Sequence, residues 1–313
     1  MTTNRKAAFF QKTAVIFLLC IVCCLLWGSA FPFVKIGYSI LKIDTADTAS
    51  ILLFAGIRFF LAGVFAIIIG SILKKKFIYP KKENYFAVFK LSLMQTVLQY
   101  IFFYIGLSNT TGVKSSIING ASSFFAILIA CFVFKQERFT KFKLIGCILG
   151  LAGIVLVNLD SSLLKLDLSF FGEGFILFSA ISYAFSSAMI KQYSSKEDPV
   201  TLSGYQFAFG GLVMSIGAFI FGGRLTELTA TGIVLIVYLG LLSAVAYSLW
   251  GVLLKYNPVS KITIFGFMIP VFGFFLSALI LKEGYGVNIF SILALLFVCA
   301  GIFIVNKFAE KQN

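Results

Sequence analysis

Arg58 is the side chain in this sequence best placed to do chemistry. It lies about two turns inside an apolar stretch, 49–70, long enough to sit in hydrocarbon. An ionisable group there is expensive and faces protein or a cavity rather than lipid. A guanidinium so placed can bind a carboxylate or phosphate; it can equally bond carbonyls of a facing segment and hold the fold. The neighbouring apolar stretches offer amides and aromatics. Gln95 and Gln99 stand a turn apart beside Tyr100 and Tyr104, and Ser115, Asn119 and Ser122 follow i, i+4, i+7 spacing. Ser179, Ser182, Tyr183 and Ser186 share one helix face, and Ser243, Tyr247 and Trp250 share another. Such stripes either let helices pack closely or converge on a cavity. The candidate binding set is Trp27, Arg58, Gln99, Tyr100, Asn119, Tyr183, Tyr247 and Trp250. Its amides and aromatic hydroxyls suit a neutral or zwitterionic small solute, including one with an aromatic ring.

Other chemistries find little material. The chain has no His, so a Ser/His/Asp triad is impossible. No Asp or Glu falls in the middle of an apolar stretch; Glu137 and Glu283 sit at the ends of such stretches, where capping a loop or helix is the plain role. Proton relays in membranes commonly run through buried carboxylates or His, so facilitated movement is the expectation, with coupling through an end carboxylate left open. The six cysteines, Cys20, Cys23, Cys24, Cys131, Cys147 and Cys299, all lie in apolar runs. Cys20 and Cys23 have ligand spacing but no partner pair, and read as small apolar filler. There is no Gly-rich loop ending in Gly-Lys-Ser/Thr. No cofactor, no metal and no enzymatic activity are expected.

The elements that must position these residues follow from composition. The chain is 60% hydrophobic and only 12% charged, against roughly a quarter charged in soluble domains. A membrane helix needs about 20 apolar residues. Ten windows qualify: 13–35, 49–70, 86–107, 113–134, 142–159, 172–191, 201–221, 230–250, 260–280 and 288–306. The first is too long for a signal-peptide core and reads as a retained span. With the N-terminus in the cytoplasm, 18 of the 26 Lys and Arg fall on the cytoplasmic side and 6 opposite, with Arg58 and Lys90 inside windows. That bias sets orientation and puts both termini in the cytoplasm. The net charge of +14 is then topology signal and lipid-surface contact, not a nucleic-acid footprint.

The chain also repeats itself. Phe134-Lys135-Gln136-Glu137-Arg138-Phe139-Thr140 precedes a run with Gly146, Gly150 and Gly153 that ends at Asn158. Leu281-Lys282-Glu283 precedes a run with Gly301 and then Asn306, and Glu137 and Glu283 are 146 residues apart. Trp27-Gly28-Ser29 aligns with Tyr183-Ala184-Phe185, Arg58 and Gly63 with Gln206 and Gly211, and Thr111-Gly112-Val113 with Asn257-Pro258-Val259. Five helices per half is an odd number, so the second half must be inverted. The expected fold class is an all-α integral membrane protein of ten transmembrane helices, built as two inverted five-helix repeats over 13–159 and 172–306. Such repeats place a site near the midplane at their interface. Pro32, after Gly28 in the first helix, is expected to kink or break it; Gly28, Pro32 and Pro270 are the candidate gating positions.

On these residues the chain resembles the drug/metabolite transporter superfamily, in the group with two EamA-type repeats. Trp27-Gly28-Ser29, Arg58-Phe59, Gln136-Glu137-Arg138 with Gly146 and Gly153, and the echo at Lys282-Glu283 and Gly301 carry the likeness, which spans nearly the whole chain. The family pattern has a Pro in the fourth helix of each half; Pro270 supplies one, and Phe124 stands at the other, so the kink need not be symmetric. The resemblance implies a secondary transporter or facilitator in the plasma membrane that moves amino acids or related small polar metabolites, mostly outward. Its partners would be that solute and the lipid bilayer, and it would act as a monomer or homodimer. The alternative is a non-transporting membrane protein, either a lipid-acting enzyme or a scaffold. An enzyme would need a nucleophile with a base or metal cluster; a scaffold would not need polar stripes on so many helices.

Overall fold

The computed structural model describes residues 3–110, 115, 118–157, 169–281 and 289–308, and among them every regular element is helical. A short helix, α1 (Thr3–Phe10), precedes α2 (Thr13–Ile40), α3 (Thr48–Lys74), α4 (Lys82–Ser108) and α5 (Ile118–Val133). Then come α6 (Lys141–Val157), α7 (Phe170–Tyr193), α8 (Pro199–Ile220), α9 (Ala230–Tyr256), α10 (Val259–Leu281) and α11 (Ile289–Phe308). Among the described residues seven, α2 to α4 and α7 to α10, are long and apolar enough to cross a membrane; α5, and α11 from Ile292, are shorter apolar helices. Helix α6 has 17 residues. Parts of the windows behind α5, α6 and α11 lie outside the described residues, as do Thr111-Gly112-Val113, Asn158 and Lys282-Glu283 from the repeat alignment.

Local chemistry sets the helix starts. Asp47 accepts the Ser50 N–H at 3.1 Å and caps α3. Asp198 accepts from Val200 and Thr201 ahead of α8, with Pro199 in the first turn. Thr229 accepts the Gly232 N–H and caps α9. These are the oxygen-bearing residues that satisfy the orphan amides of a helix start, and Pro is preorganised for the position it takes. The two prolines inside spans behave differently. Helix α2 runs unbroken through Pro32, so the expected break is absent. Pro270 cannot donate to the Gly266 carbonyl one turn back, and α10 is a 3₁₀ turn over Ile264–Phe267, just ahead of it.

Contacts between distant residues separate two ends. At one, Gln11 bonds the Tyr256 carbonyl, Gln136 the Ala188 carbonyl, and Asn306 the Lys261 carbonyl; it is called the basic end here for its lysines. At the other, Lys42 pairs with Glu227 at 2.6 Å and the Arg224 N–H donates to Ser50. Between them, large apolar side chains such as Ile68, Ile72, Phe219 and Leu279 lie exposed, as lipid-facing residues must. The core forms two main apolar clusters, and Trp27 packs against both.

Two helix crossings bring the halves of the chain together. In α3 against α8, a Cβ on Gly63 would lie 2.2 Å from the Ala208 nitrogen, and one on Gly211 would lie 2.2 Å from the Phe60 nitrogen. In α6 against α11, Gly146 faces the Gly301 carbonyl and Gly153 faces Val298 and Ala294. In both pairs residue numbers rise along one helix as they fall along the other, so the helices are antiparallel. These are backbone-to-backbone contacts of the small-residue kind that membrane helices use.

Gly63→Ala and Gly211→Ala are therefore expected to force the α3–α8 crossing apart, at a cost of about 1–3 kcal/mol each. Gly217→Ala, inside α8 where a Cβ would meet nothing within 4 Å, should keep or slightly raise stability. Thermal unfolding of purified protein, followed by size-exclusion, reads both. A second expectation concerns acid. Hydrogen bonds from the Ser50 hydroxyl and N–H hold the Asp47 carboxyl below its ordinary range. A depressed carboxyl stabilises the fold above its unfolded value of about 3.9, and that share is lost as pH falls through the lower folded value. Asp47→Asn keeps the cap and removes the proton. Its unfolding temperature should fall less than that of the wild type between about pH 4 and pH 2.

Candidate functional site

The candidate residues assemble around Phe59 and Phe207. Phe59 follows Arg58 on α3, and Phe207 follows Gln206 on α8. The Gly63/Gly211 crossing brings these helices close enough for the two rings to stack at 5.4 Å with an 8° interplanar angle. Phe59 lies 4.2 Å from the Tyr100 ring, and Phe207 lies 4.7 Å from the Tyr247 ring, edge-on. Tyr100 and Tyr247 join through their hydroxyls at 2.8 Å. Trp27 closes the group, with centroids 4.9 Å from Tyr247 and 5.0 Å from Trp250. Edge-on aromatic contacts of this kind contribute about 0.5–1.5 kcal/mol each beyond burial.

The polar members enter from α4, α7 and α8. Gln95 donates to Ser186 at 3.3 Å, and Thr96 donates to Gln206 at 2.7 Å. Both come from a π-helical turn over Leu93–Leu98, the wider turn that recurs at functional positions in helices. Gln99, one turn on, lies beside the Tyr247 hydroxyl. Tyr183 is within electrostatic reach of Tyr100 and Tyr247.

Several buried polar atoms in this group have no hydrogen-bond partner: Trp27 Nε1, Arg58 Nε and Nη1, Gln99 Oε1, Tyr183 Oη, Gln206 Nε2 and Trp250 Nε1. Arg58 is 6% exposed, and its guanidinium carbon sits 4.5 Å over the Phe59 ring. Such groups normally find partners, so their concentration at one place marks a position where a polar ligand can bond. Seven of the eight expected binding residues thus belong to one group. Asn119 is half-buried at the start of α5 and makes no hydrogen bond to them. Gly28 meets α10 instead: a Cβ there would lie 2.7 Å from the Phe272 Cβ. Two open cavities flank the bundle. One, of about 590 Å³, is lined by Lys90, Phe134 and Tyr193 among others, and one of about 270 Å³ by Lys35, Ser39 and Leu281 among others. Neither is lined by the aromatic group.

Sequence reasoning missed Phe59, Phe207 and Thr96. A signal was available for the two rings, since Arg58-Phe59 and Gln206-Phe207 occupy corresponding places in the two halves. It also missed a second polar group at the basic end. Lys143, one of the 18 charges counted on the cytoplasmic side, is buried in the first turn of α6 and pairs with Glu137 at 2.7 Å, with side chains 1% and 3% exposed. Lys143 also donates to the Arg138 carbonyl. Glu137 accepts the Ser260 N–H at 3.0 Å and the Ser260 hydroxyl, so it caps the first turn of α10 across the two halves of the chain. Nearby, Glu197 accepts from the Lys81 and Asp198 N–H groups and from Asn84. Burial works to raise its carboxyl, but these bonds and the Lys81 charge outweigh it and hold the group below its usual range.

A bundle of apolar helices with one buried aromatic and polar group drawn from both halves of the chain is the arrangement of a polytopic membrane transporter. The EamA-like transporter family pattern matches residues 14–159 and again 170–307, and the chain belongs to that family. The uncharacterized transporter YoaV of Bacillus subtilis is 26% identical over 92% of this chain and 95% of its own length. An uncharacterized transporter of Archaeoglobus fulgidus is 28% identical over 82% of this chain and 87% of its own. A solved crystal structure superposes with a TM-score of 0.77 over 96% of this chain and 100% of its own, at 13% identity, which shows a shared fold.

Cutting one side of the Glu137–Lys143 pair leaves a buried charge alone. Lys143→Met is expected to destabilise the protein by about 3–5 kcal/mol, and adding Glu137→Gln should recover a large part of that. A double-mutant cycle on unfolding free energies measures the coupling.

Proposed function

We propose that the protein is a secondary transporter or facilitator of small polar metabolites, amino acids or related compounds, working outward across the plasma membrane. The observation that supports this best is the packed group itself. Six helices, three from each half of the chain, bring aromatic rings and unpartnered polar atoms to one buried place. In this reading the chain has ten spans in two inverted repeats, 13–159 and 172–306, with both termini in the cytoplasm. The antiparallel α3–α8 and α6–α11 crossings are what inverted repeats require. The aromatic group is the shared site, alternately opened to either side. The Glu137–Lys143–Ser260 contacts link the halves at the basic end and must part for that end to open. Gly28, Pro32 and Pro270 are where α2 and α10 would bend or slide. The unit of function is a monomer or homodimer in the bilayer.

Uptake of labelled neutral and aromatic amino acids into proteoliposomes, with and without a pH gradient, tests the reading. Saturable uptake indifferent to the gradient is expected. Tyr247→Ala should slow initial uptake about tenfold, the effect of losing about 1.4 kcal/mol of contacts, at normal membrane abundance. Asn119→Ala should do the same if α5 joins the site when it opens. Absence of saturable uptake across the panel would sink the proposal.

A further inference from the structure

The buried site is unbalanced in its hydrogen-bonding chemistry. Arg58 Nε and Nη1, Trp27 Nε1, Trp250 Nε1 and Gln206 Nε2 lack partners and can only donate, against one unpartnered acceptor, Gln99 Oε1, and the Tyr183 hydroxyl, which can do either. Among the described residues Arg58 has no ion-pair or hydrogen-bond partner, and its electrostatic neighbours are the phenols Tyr38, Tyr100 and Tyr247. Among the described residues no Asp or Glu stands with this group. Those present are Asp44, Asp47, Glu83, Glu137, Glu173, Glu197, Asp198 and Glu227, all in loops, at helix ends or in a first turn. A buried guanidinium without a counter-charge is costly, and Phe59 beneath it offers only its ring face. The cost falls if an oxyanion docks there, and a planar carboxylate matches the guanidinium fork with two parallel N–H···O bonds. Nothing in the group offers a carboxylate to an ammonium ion. The rings of Phe59, Phe207, Tyr247 and Trp27 suit a flat apolar body.

We infer that the site selects organic carboxylates with a flat or aromatic body, that Arg58 receives the carboxylate, and that a substrate amine is dispensable. This rests on the transport reading only in treating the site as the substrate site. Repeat symmetry would not supply the charge twice: Gln206 stands where Arg58 stands in the other half, and it is engaged by Thr96. The site therefore carries one anion-binding group, on the α3 side.

The chain has two Trp, and both border the site, so intrinsic fluorescence reports occupancy without a label. Phenylacetate, phenylalanine and phenethylamine would be titrated into the full-length protein in nanodiscs. Phenylacetate and phenylalanine should each give a saturable change, with phenethylamine at least about tenfold weaker. Arg58→Gln should weaken phenylacetate by at least about tenfold, and Arg58→Lys by less, because Lys keeps the charge and loses the fork. The wild-type ranking stands even if Arg58→Gln fails to fold. Phenethylamine binding as well as phenylacetate, no response to any probe, or an unchanged phenylacetate affinity in folded Arg58→Gln would each overturn the assignment. Uptake of the same probes into proteoliposomes separates the two readings. Transport of the amine without the acids removes the carboxylate assignment and leaves transport standing; acid binding without transport does the reverse.

Discussion

The close approach of α3 and α8 is the contact on which the rest depends. Lipid tails are as apolar as leucine, so burying leucine against leucine does not drive membrane helices together. Packing and polar bonds must do it. Gly63 and Gly211 let the two backbones touch, with no room for a methyl group at either. That spacing stacks Phe59 on Phe207. Tyr100, Tyr247 and Trp27 then pack onto the pair, and Arg58 and Gln206 are carried to the same depth. A wider crossing would separate the rings and admit lipid or water between the halves.

The second crossing, α6 on α11, does a different job. Gly146, Gly153 and Gly301 bring the last helix of each half together far from the aromatic group in sequence. Close by, the Glu137–Lys143 pair and the Ser260 cap bind the loop between α5 and α6 to the start of α10. The bundle thus has a polar join at one end and a packed aromatic group within. The two are held by different physics. The end join is charged and hydrogen-bonded almost to saturation, whereas the central group is apolar in its contacts and leaves several donors unused. In the proposed cycle, water or ions compete for the first when its end opens. The second can be relieved by a solute that supplies acceptors.

On the proposed transport reading, function rests on the asymmetry between halves as much as on their likeness. Arg58 has Gln206 as its counterpart, and Trp27 has Tyr183. The likeness sets where the site lies; the differences give it one positive charge and an indole on one side, an amide and a phenol on the other. A two-fold arrangement of identical groups would have no preferred orientation for a bound solute. The single guanidinium provides one.

Much was legible in the residues alone. Hydropathy gave the helices, because hydrocarbon admits only segments whose backbone is internally bonded. Seven of the ten windows are, in the described residues, helices long and apolar enough to cross a membrane. Seven of the eight binding candidates meet. Three things were decided only in three dimensions. Pro32 does not break α2, because a helix can tolerate one missing bond when its neighbours pack well, and Gly28 and Phe272 do so there. That Lys143 is a buried partner of Glu137 depends on the path of the α5–α6 loop, which charge patterning does not write. Phe207 was one of 38 phenylalanines, and Phe59 only part of a family motif, until a glycine crossing stacked them. Composition and periodicity determine which segments enter the membrane and which faces are polar, because those are properties of each helix by itself. Which polar groups find partners and which are left for a ligand depends on distances between helices, and only packing sets those.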